Sequence, residues 1–513
     1  MSENGRSFLE SQQYRFLHPD RLLQQDLKTI YTDNELEVGW PMGVNKIFEH
    51  LARPHTGLII GAALGDEGKG RFVDNTVEQL LKIKEIKKVV VIRFQGGNNS
   101  GHTVQVGEQK LALHQVPSGV MYAKTLCVID RGMVVNPIDL LSEIHIVEDI
   151  VGDTRKKLIL SPDAVLNTDL ERAEELLNRK KQDKAGGGTG RGISPSYAHH
   201  YDKLGFHVTD LTAHDWREKL GKQYDVYEKE FGLFGIQLSQ VDVPDFAETK
   251  RTGNEMKRNV GNKEEFLDRL EIARTDIIDR DMIRNTFILH QDLFQDLSRG
   301  VLFEGAQAVG LHAWLGTLPD VTASDTSAFG IQAGTGFWKA QDVDQRIGVF
   351  KIPYTSSVGA RHMPTEAHDA WADKVRDVAH EYGTTTNRPR DILYLDIPMH
   401  AYNIHMGGIE MLAGTHLDIS WPDMPIKVCT HYTDGSGNTV PYQPGLIYQR
   451  GVVPNYIELP GWDGEAVQKA KKFDDIPDNA KKFLAFLQKR LIPIIAVTTG
   501  PKREHFLTIP QYD

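Results

Sequence analysis

A chain of 513 residues with 40% hydrophobic and 25% charged side chains carries enough apolar material for a large packed core, which excludes disorder throughout. A formal net charge of -11 argues against a generic nucleic-acid surface, so basic residues are expected to act locally. No apolar run nears the roughly 20 residues of a membrane helix, and the polar opening MSENGRSFLESQQYRF lacks a signal-peptide core, which makes the cytoplasm the expected compartment.

Residues 1–55 are polar and mixed and read as an N-terminal extension; residues 56–513 read as one large α/β unit. That unit opens with GLIIGAAL as a strand, GDEGKG as a loop, RFVDNTVEQLLKIKEI as a helix of period near 3.6, and KKVVVIRF as a second buried strand. Strand, loop, helix and strand in that order form a βαβ unit and imply a parallel sheet. Further strands are expected at LCVID, KLILS, VLFEG, RIGVFK, IKVCTH and IPIIAV, with helices at DLERAEELLNRKKQ and NAKKFLAFLQKRL. The polar stretch 238–264 reads as an exposed insertion. Cys127 and Cys429 sit in apolar runs without metal-ligand spacing and are expected as buried free thiols.

The loop GDEGKG (65–70) follows a strand and precedes a helix, where free backbone N–H groups can hold an anion. Ala63 and Gly70 break the G-x-x-x-x-G-K-[ST] pattern, so it is not a Walker loop. Lys69 suits phosphate, while Asp66 suits Mg²⁺ coordination or proton transfer. A second glycine-rich loop, QGGNNSGHT (95–103), follows the next strand; if the two strands are neighbours, Asp66 and His102 become an acid/base pair across one cleft. AGGGTGRGISPSY (185–197), FEGAQ (303–307) and GTTTNRPRD (383–391) carry similar signatures, the last with two arginines suited to bidentate carboxylate or phosphate contacts. A surface turn, a flexible linker and a solvated basic turn are the plain alternatives for these segments taken singly.

Taken in order, GDEGKG, QGGNNSGHT, GGGTGRGISPSY, FEGAQ, TTTNRPR, THLD and TTGP resemble the adenylosuccinate synthetase family from about residue 57 to 508. The resemblance implies a large, mostly parallel sheet flanked by helices, of P-loop-NTPase-like architecture with long active-site loops. It implies a ligase that joins L-aspartate to the purine C6 of IMP through a 6-phosphoryl intermediate, with GTP and Mg²⁺, in a homodimer. Asp66, His102, Lys69 and Gln307 would be catalytic, with Asp66 and the Gly101 carbonyl as metal ligands. Asn99, Thr189, Arg191, Lys203, Gln307 and Val358 would hold the substrate nucleotide, and Thr385, Thr386, Arg388 and Arg390 the aspartate. Gly65, Glu67, Gly68, Lys69, Gly70, His416, Asp418, Thr498, Gly500 and Pro501 would form the GTP site.

The chain departs from the family pattern around the substrates. Ala63-Leu64 replaces Q-W, His416 stands for the lysine of T-K-L-D, Lys203 stands for an arginine expected to cross the dimer, and SSVGARHMPTE carries Arg361 but lacks the arginine beside Val358. A sister ligase acting on GMP or dGMP, with GTP or ATP, is therefore a second reading. A non-catalytic purine-nucleotide sensor is a third, and a switch GTPase is disfavoured by the missing Walker loop.

Overall fold

The computed structural model describes residues 55–106, 109–181, 188–357, 362–382 and 389–510. The expected N-terminal extension lies, apart from His55, outside the described residues.

Nine strands form the central sheet: β1 (His55–Gly61), β2 (Lys88–Arg93), β3 (Thr125–Ile129), β4 (Leu158–Leu160), β5 (Arg299–Ala308), β6 (Gln345–Lys351), β7 (Met411–Thr415), β8 (Ile494–Thr498) and β9 (Phe506–Thr508). Their order is β9-β8-β7-β6-β1-β5-β2-β3-β4, parallel throughout except at β9. The strands read as continuous apolar runs because both faces are covered. Along β1 and β2, Leu58, Ile60, Val90 and Ile92 enter one core layer, whereas Ile59, Val89 and Val91 enter the other, following the two-residue period of a strand.

One finding corrects the sequence expectations for this region. β1 and β2 are not neighbours: β5, from more than 200 residues downstream, pairs in parallel with both and lies between them. The run IKVCTH is a strand, as expected, and belongs to a separate, smaller sheet, where Ile426–Thr433 pairs with Asp391–Asp396 and Val453–Leu459. The central sheet also takes β7, MLAGT, whose alanine and glycine dilute the apolar signal.

The helices that matter for the site are α1 (Lys69–Lys82), α2 (Pro137–Val151), α3 (Asp169–Lys181), α4 (Ile193–Asp202) and α5 (Phe246–Thr252). α5 lies in the stretch expected to be an exposed insertion. That stretch instead forms a small hairpin, Asp242–Pro244 with Lys257–Asn259, and buries Val243, Phe246 and Val260 while residues 253–257 stay exposed. Cys127 and Cys429 are buried free thiols within strands, as expected. No helix of the described residues is long and apolar enough to cross a membrane.

Candidate active site

The first glycine loop turns at the carboxyl end of β1 with three successive demands on the backbone: φ is 99° at Gly65, 55° at Asp66 and 89° at Gly68. Only glycine adopts such angles freely, so the sequence places glycine at two of the three and leaves Asp66 in a left-handed conformation that aspartate tolerates. Gly68 caps α1 without a side-chain bond, which leaves the first N–H groups of a 14-residue helix open to an anion. Gly70 packs so closely on the second loop that an added Cβ would sit 3.1 Å from the Cβ of His102.

Inside the loop, Glu67 is buried. Its carboxylate accepts bonds from the Gly65 N–H at 2.7 Å and the Lys69 ammonium at 2.8 Å, and its backbone carbonyl accepts one from the Thr415 hydroxyl at 2.9 Å. Lys69 is thereby preset rather than free, and Glu67 acts as a buried brace.

His102 is buried beside this loop, but its partner is Glu304 of β5 rather than Asp66. The strand inserted between β1 and β2 thus supplies His102 with its own carboxylate. Glu304 also accepts the Ser118 N–H at 2.9 Å and the Ser118 hydroxyl at 2.5 Å. A carboxylate only accepts, so Nδ1–H of His102 donates to it. His102 Nε2 is buried and has no hydrogen-bond partner, a polar atom waiting for one. Burial and the nearby Arg93 hold the imidazole below its usual range. Burial alone would raise Glu304, yet His102 and Arg93 keep it below the ordinary carboxylate value.

Asp66, 43% exposed, pairs with Arg390 instead. Arg390 donates a second bond, at 2.8 Å, to Glu381, a buried carboxylate that also takes Lys351 and the Tyr354 hydroxyl. Thr385, Thr386 and Arg388, like Val358 and Arg361, lie outside the described residues.

Gln307, at φ 54°, closes the carboxyl end of β5; its amide donates to the Asn99 side chain at 3.0 Å and accepts from the Ser324 hydroxyl at 3.1 Å. Asn99 and Gln307 therefore meet, as sequence order alone could not show. Thr189 is exposed, while Arg191 is buried, with Nη1 3.5 Å from Asp139 of α2 and its guanidinium 6.0 Å from the Phe246 ring centroid. Lys203 is exposed at the end of α4, and Gly101 is exposed at the start of the second loop's hairpin.

At the other end of the cleft, the His416 N–H donates to the Thr498 hydroxyl at 3.2 Å, and Asp418 accepts from Gln468 at 2.8 Å. Burial pushes His416 down to about 3 and raises Asp418. Arg71, on α1 directly after GDEGKG, hydrogen-bonds the carbonyls of Gly500, Lys502 and His505 and so ties the glycine loop to TTGP; Pro501 is exposed beside it. Glu304, Glu381 and Arg71 escaped the sequence reading. FEGAQ contains Glu304, but nothing local says that it meets a residue 202 positions away.

Asp66 and the Gly101 carbonyl offer hard oxygen donors, the class that Mg²⁺ prefers. The described residues contain no cluster of three or more His, Cys, Asp or Glu able to cage an ion. The oxygen chemistry of these two groups suits a divalent cation.

The family model described as adenylosuccinate synthetase matches residues 58–507. An adenylosuccinate synthetase from Caldanaerobacter subterraneus subsp. tengcongensis is 33% identical over 469 residues, covering 89% of this chain and 99% of its own. One from Clostridium botulinum is 34% identical over 459 residues, covering 88% and 98%. Among solved structures, the fully ligated adenylosuccinate synthetase from Plasmodium falciparum superposes with a TM-score of 0.77 at 28% identity, covering 89% of this chain and 100% of the other. The succinoaminodeoxyadenylate synthetase of cyanophage S-2L, bound to dGMP and dATP, shares the fold with a TM-score of 0.54 at 15% identity, covering 89% and 95%. The chain belongs to the adenylosuccinate synthetase family.

Proposed function

We propose that this protein is an adenylosuccinate synthetase: a carbon–nitrogen ligase of purine biosynthesis that joins L-aspartate to C6 of IMP while GTP becomes GDP and phosphate. The observation that carries the reading is membership of the family over residues 58–507.

The purine 6-oxygen is a poor leaving group until it is phosphorylated. Asp66 takes the N1 proton, and the electron pair shifts onto the 6-oxygen. That oxygen attacks the γ-phosphorus of GTP and GDP leaves; the aspartate amine then adds at C6 and the C–O bond breaks to release phosphate. His102 Nε2, oriented by Glu304 through Nδ1, donates a hydrogen bond to the phosphoryl group in transfer when protonated. Lys69, braced by Glu67, and the open N-terminus of α1 neutralise phosphate charge, which is the main protein contribution in such transfers. Asp66 and the Gly101 carbonyl would hold Mg²⁺, which would supply neutralisation of phosphate charge. Asn99, Gln307, Thr189, Arg191 and Val358 hold IMP; Thr385, Thr386, Arg388 and Arg390 hold aspartate; Gly65, Gly68, Gly70, His416, Asp418, Thr498, Gly500 and Pro501 line the GTP site. The protein acts as a homodimer in which Lys203 reaches the neighbouring nucleotide.

The test is phosphate release by the purified protein with Mg²⁺, across IMP, dIMP, GMP and dGMP, each with GTP or ATP and with or without aspartate. Release that requires IMP, GTP and aspartate is the expected outcome. Release that requires GMP or dGMP, or that proceeds only with ATP, would replace it with the sister reaction. Nucleotide binding without release in any condition would leave a sensor.

A further inference from the structure

The buried carboxylate of Glu381 serves two places at once. On one side, its Oε2 accepts from Arg390 at 2.8 Å, and Arg390 in turn holds Asp66. On the other, its Oε1 accepts from Lys351 and, at 2.5 Å, from the Tyr354 hydroxyl. Tyr354 has one hydroxyl proton, and a carboxylate can only accept, so that proton is committed to Glu381. The His416 Nδ1 lies 3.2 Å from the same phenolic oxygen. It must therefore be the donor, which fixes His416 as the Nδ1–H tautomer and leaves Nε2 with a free lone pair. Lys351 is held in addition by the Ser356 hydroxyl at 2.6 Å, so the ion pair at the centre cannot swing to either side. Glu381, Lys351 and Tyr354 are all buried.

We propose that Glu381 is a positioning residue shared by two substrate subsites: it sets Arg390 for the amino-acid carboxylate and, through Tyr354, sets the ring and tautomer of His416 at the triphosphate site. This inference rests on the proposed reaction and deepens it. It also accounts for the histidine at 416. The family's lysine offers only donors, whereas this relay makes position 416 a neutral ring whose Nε2 can accept a hydrogen bond. The amino-acid clamp and the triphosphate pocket then share one buried anion, so a change at its centre reaches both while the IMP contacts at Asn99 and Gln307 lie outside the relay.

The test compares full steady-state kinetics of the wild type, Tyr354→Phe and Glu381→Gln, together with ¹⁵N NMR of the histidine rings assigned with a His416→Asn control. For Tyr354→Phe, which removes one hydroxyl and leaves the ion pairs intact, KM for GTP should rise about three- to tenfold, the usual effect of losing one hydrogen bond. KM for aspartate should stay within about twofold, and the His416 Nδ1–H signature should weaken. For Glu381→Gln, KM for aspartate should rise about tenfold or more as Arg390 loses a charged partner, KM for GTP should rise as well, and KM for IMP should hold. Should Glu381→Gln fail to fold because Lys351 is left unpaired, the double change Lys351→Met with Glu381→Gln removes both charges and carries the same expectation. Unchanged KM values for aspartate and GTP, or a uniform rise for all three substrates, would overturn the proposal, as would a wild-type Nε2–H tautomer at His416. A wild type that releases no phosphate with IMP, GTP and aspartate would instead sink the proposed function, and this inference with it.

Discussion

Arg390 stands between two carboxylates: it pairs with Asp66 and is also held by Glu381. In the proposed reaction an incoming aspartate carboxylate competes with Asp66 for Arg390, which would join amino-acid binding to the freeing of Asp66 at one side chain. His102 shows the complementary arrangement: Glu304 fixes one ring nitrogen and leaves the other buried and unpartnered. Removing either group should cost turnover rather than binding. Asp66→Asn keeps the shape of the loop, so nucleotide affinity by calorimetry should persist while phosphate release falls by about 10²-fold or more, the range of general-base removal. A variant that released phosphate at the normal rate would show that Asp66 is not the base. Both residues were legible in the sequence because glycines on either side marked loops that approach something. Their partners were not legible, because Glu304 is 202 residues from His102 and no local pattern encodes that meeting.

At the scale of elements, the central strands could be read directly, since burial on both faces leaves long apolar runs, but their order could not. Whether β5 or β2 lies beside β1 is decided by pairing between distant segments, and periodicity says nothing about it. β7 is not legible because MLAGT trades bulk for close packing, and IKVCTH is legible as a strand but not as to which sheet it joins, because a buried strand looks alike in either. The stretch 238–264 misled for a different reason: its composition is polar, yet Val243, Phe246 and Val260 carry the packing. This element also touches the site. Pro244 accepts from the buried Arg172 at 3.1 Å, and Phe246 lies against Arg191, with Lys250 5.4 Å from the same ring centroid. Phe246→Ala should therefore cost about 3–5 kcal/mol of stability by cavity formation, seen as a lower thermal midpoint. It should also raise KM for the substrate nucleotide more than KM for GTP, since Arg191 loses its wall. Equal changes in both KM values would mean that the element stabilises the fold without shaping the nucleotide loop.

For the molecule as a whole, the proposed shared-site homodimer predicts that specific activity falls on dilution in parallel with dissociation seen by sedimentation, and that Lys203→Ala raises KM for the nucleotide; a fully active monomer would rule out the shared site. Stability against pH tests the interior more broadly, because buried groups pull in opposite directions. Burial pushes His400 down to about 4, whereas the unfolded chain titrates histidine near 6.5. As pH falls below that value the unfolded state binds the proton and the folded state does not, so this group removes stability at up to about 1.4 kcal/mol per pH unit. Asp396 does the reverse. Burial raises it to about 6, so on acidification its folded form takes the proton before the unfolded form, near 3.9, does, and stability rises between those two values. With His416 and Glu143, the latter raised by burial to about 7, adding to opposite sides, the wild-type curve should be shallow between pH 7 and 5 although each contribution is steep. Difference measurements separate them. The stability gap between the wild type and His400→Gln should shrink as pH falls from 6.5 to 4, while the gap to Asp396→Asn should widen from 6 to 4, both read from urea midpoints at each pH. Parallel curves for either variant would mean that the group is not held in the protonation state its burial dictates, and opposite slopes from one buried core would show that the flat wild-type profile is a balance rather than an absence of titration.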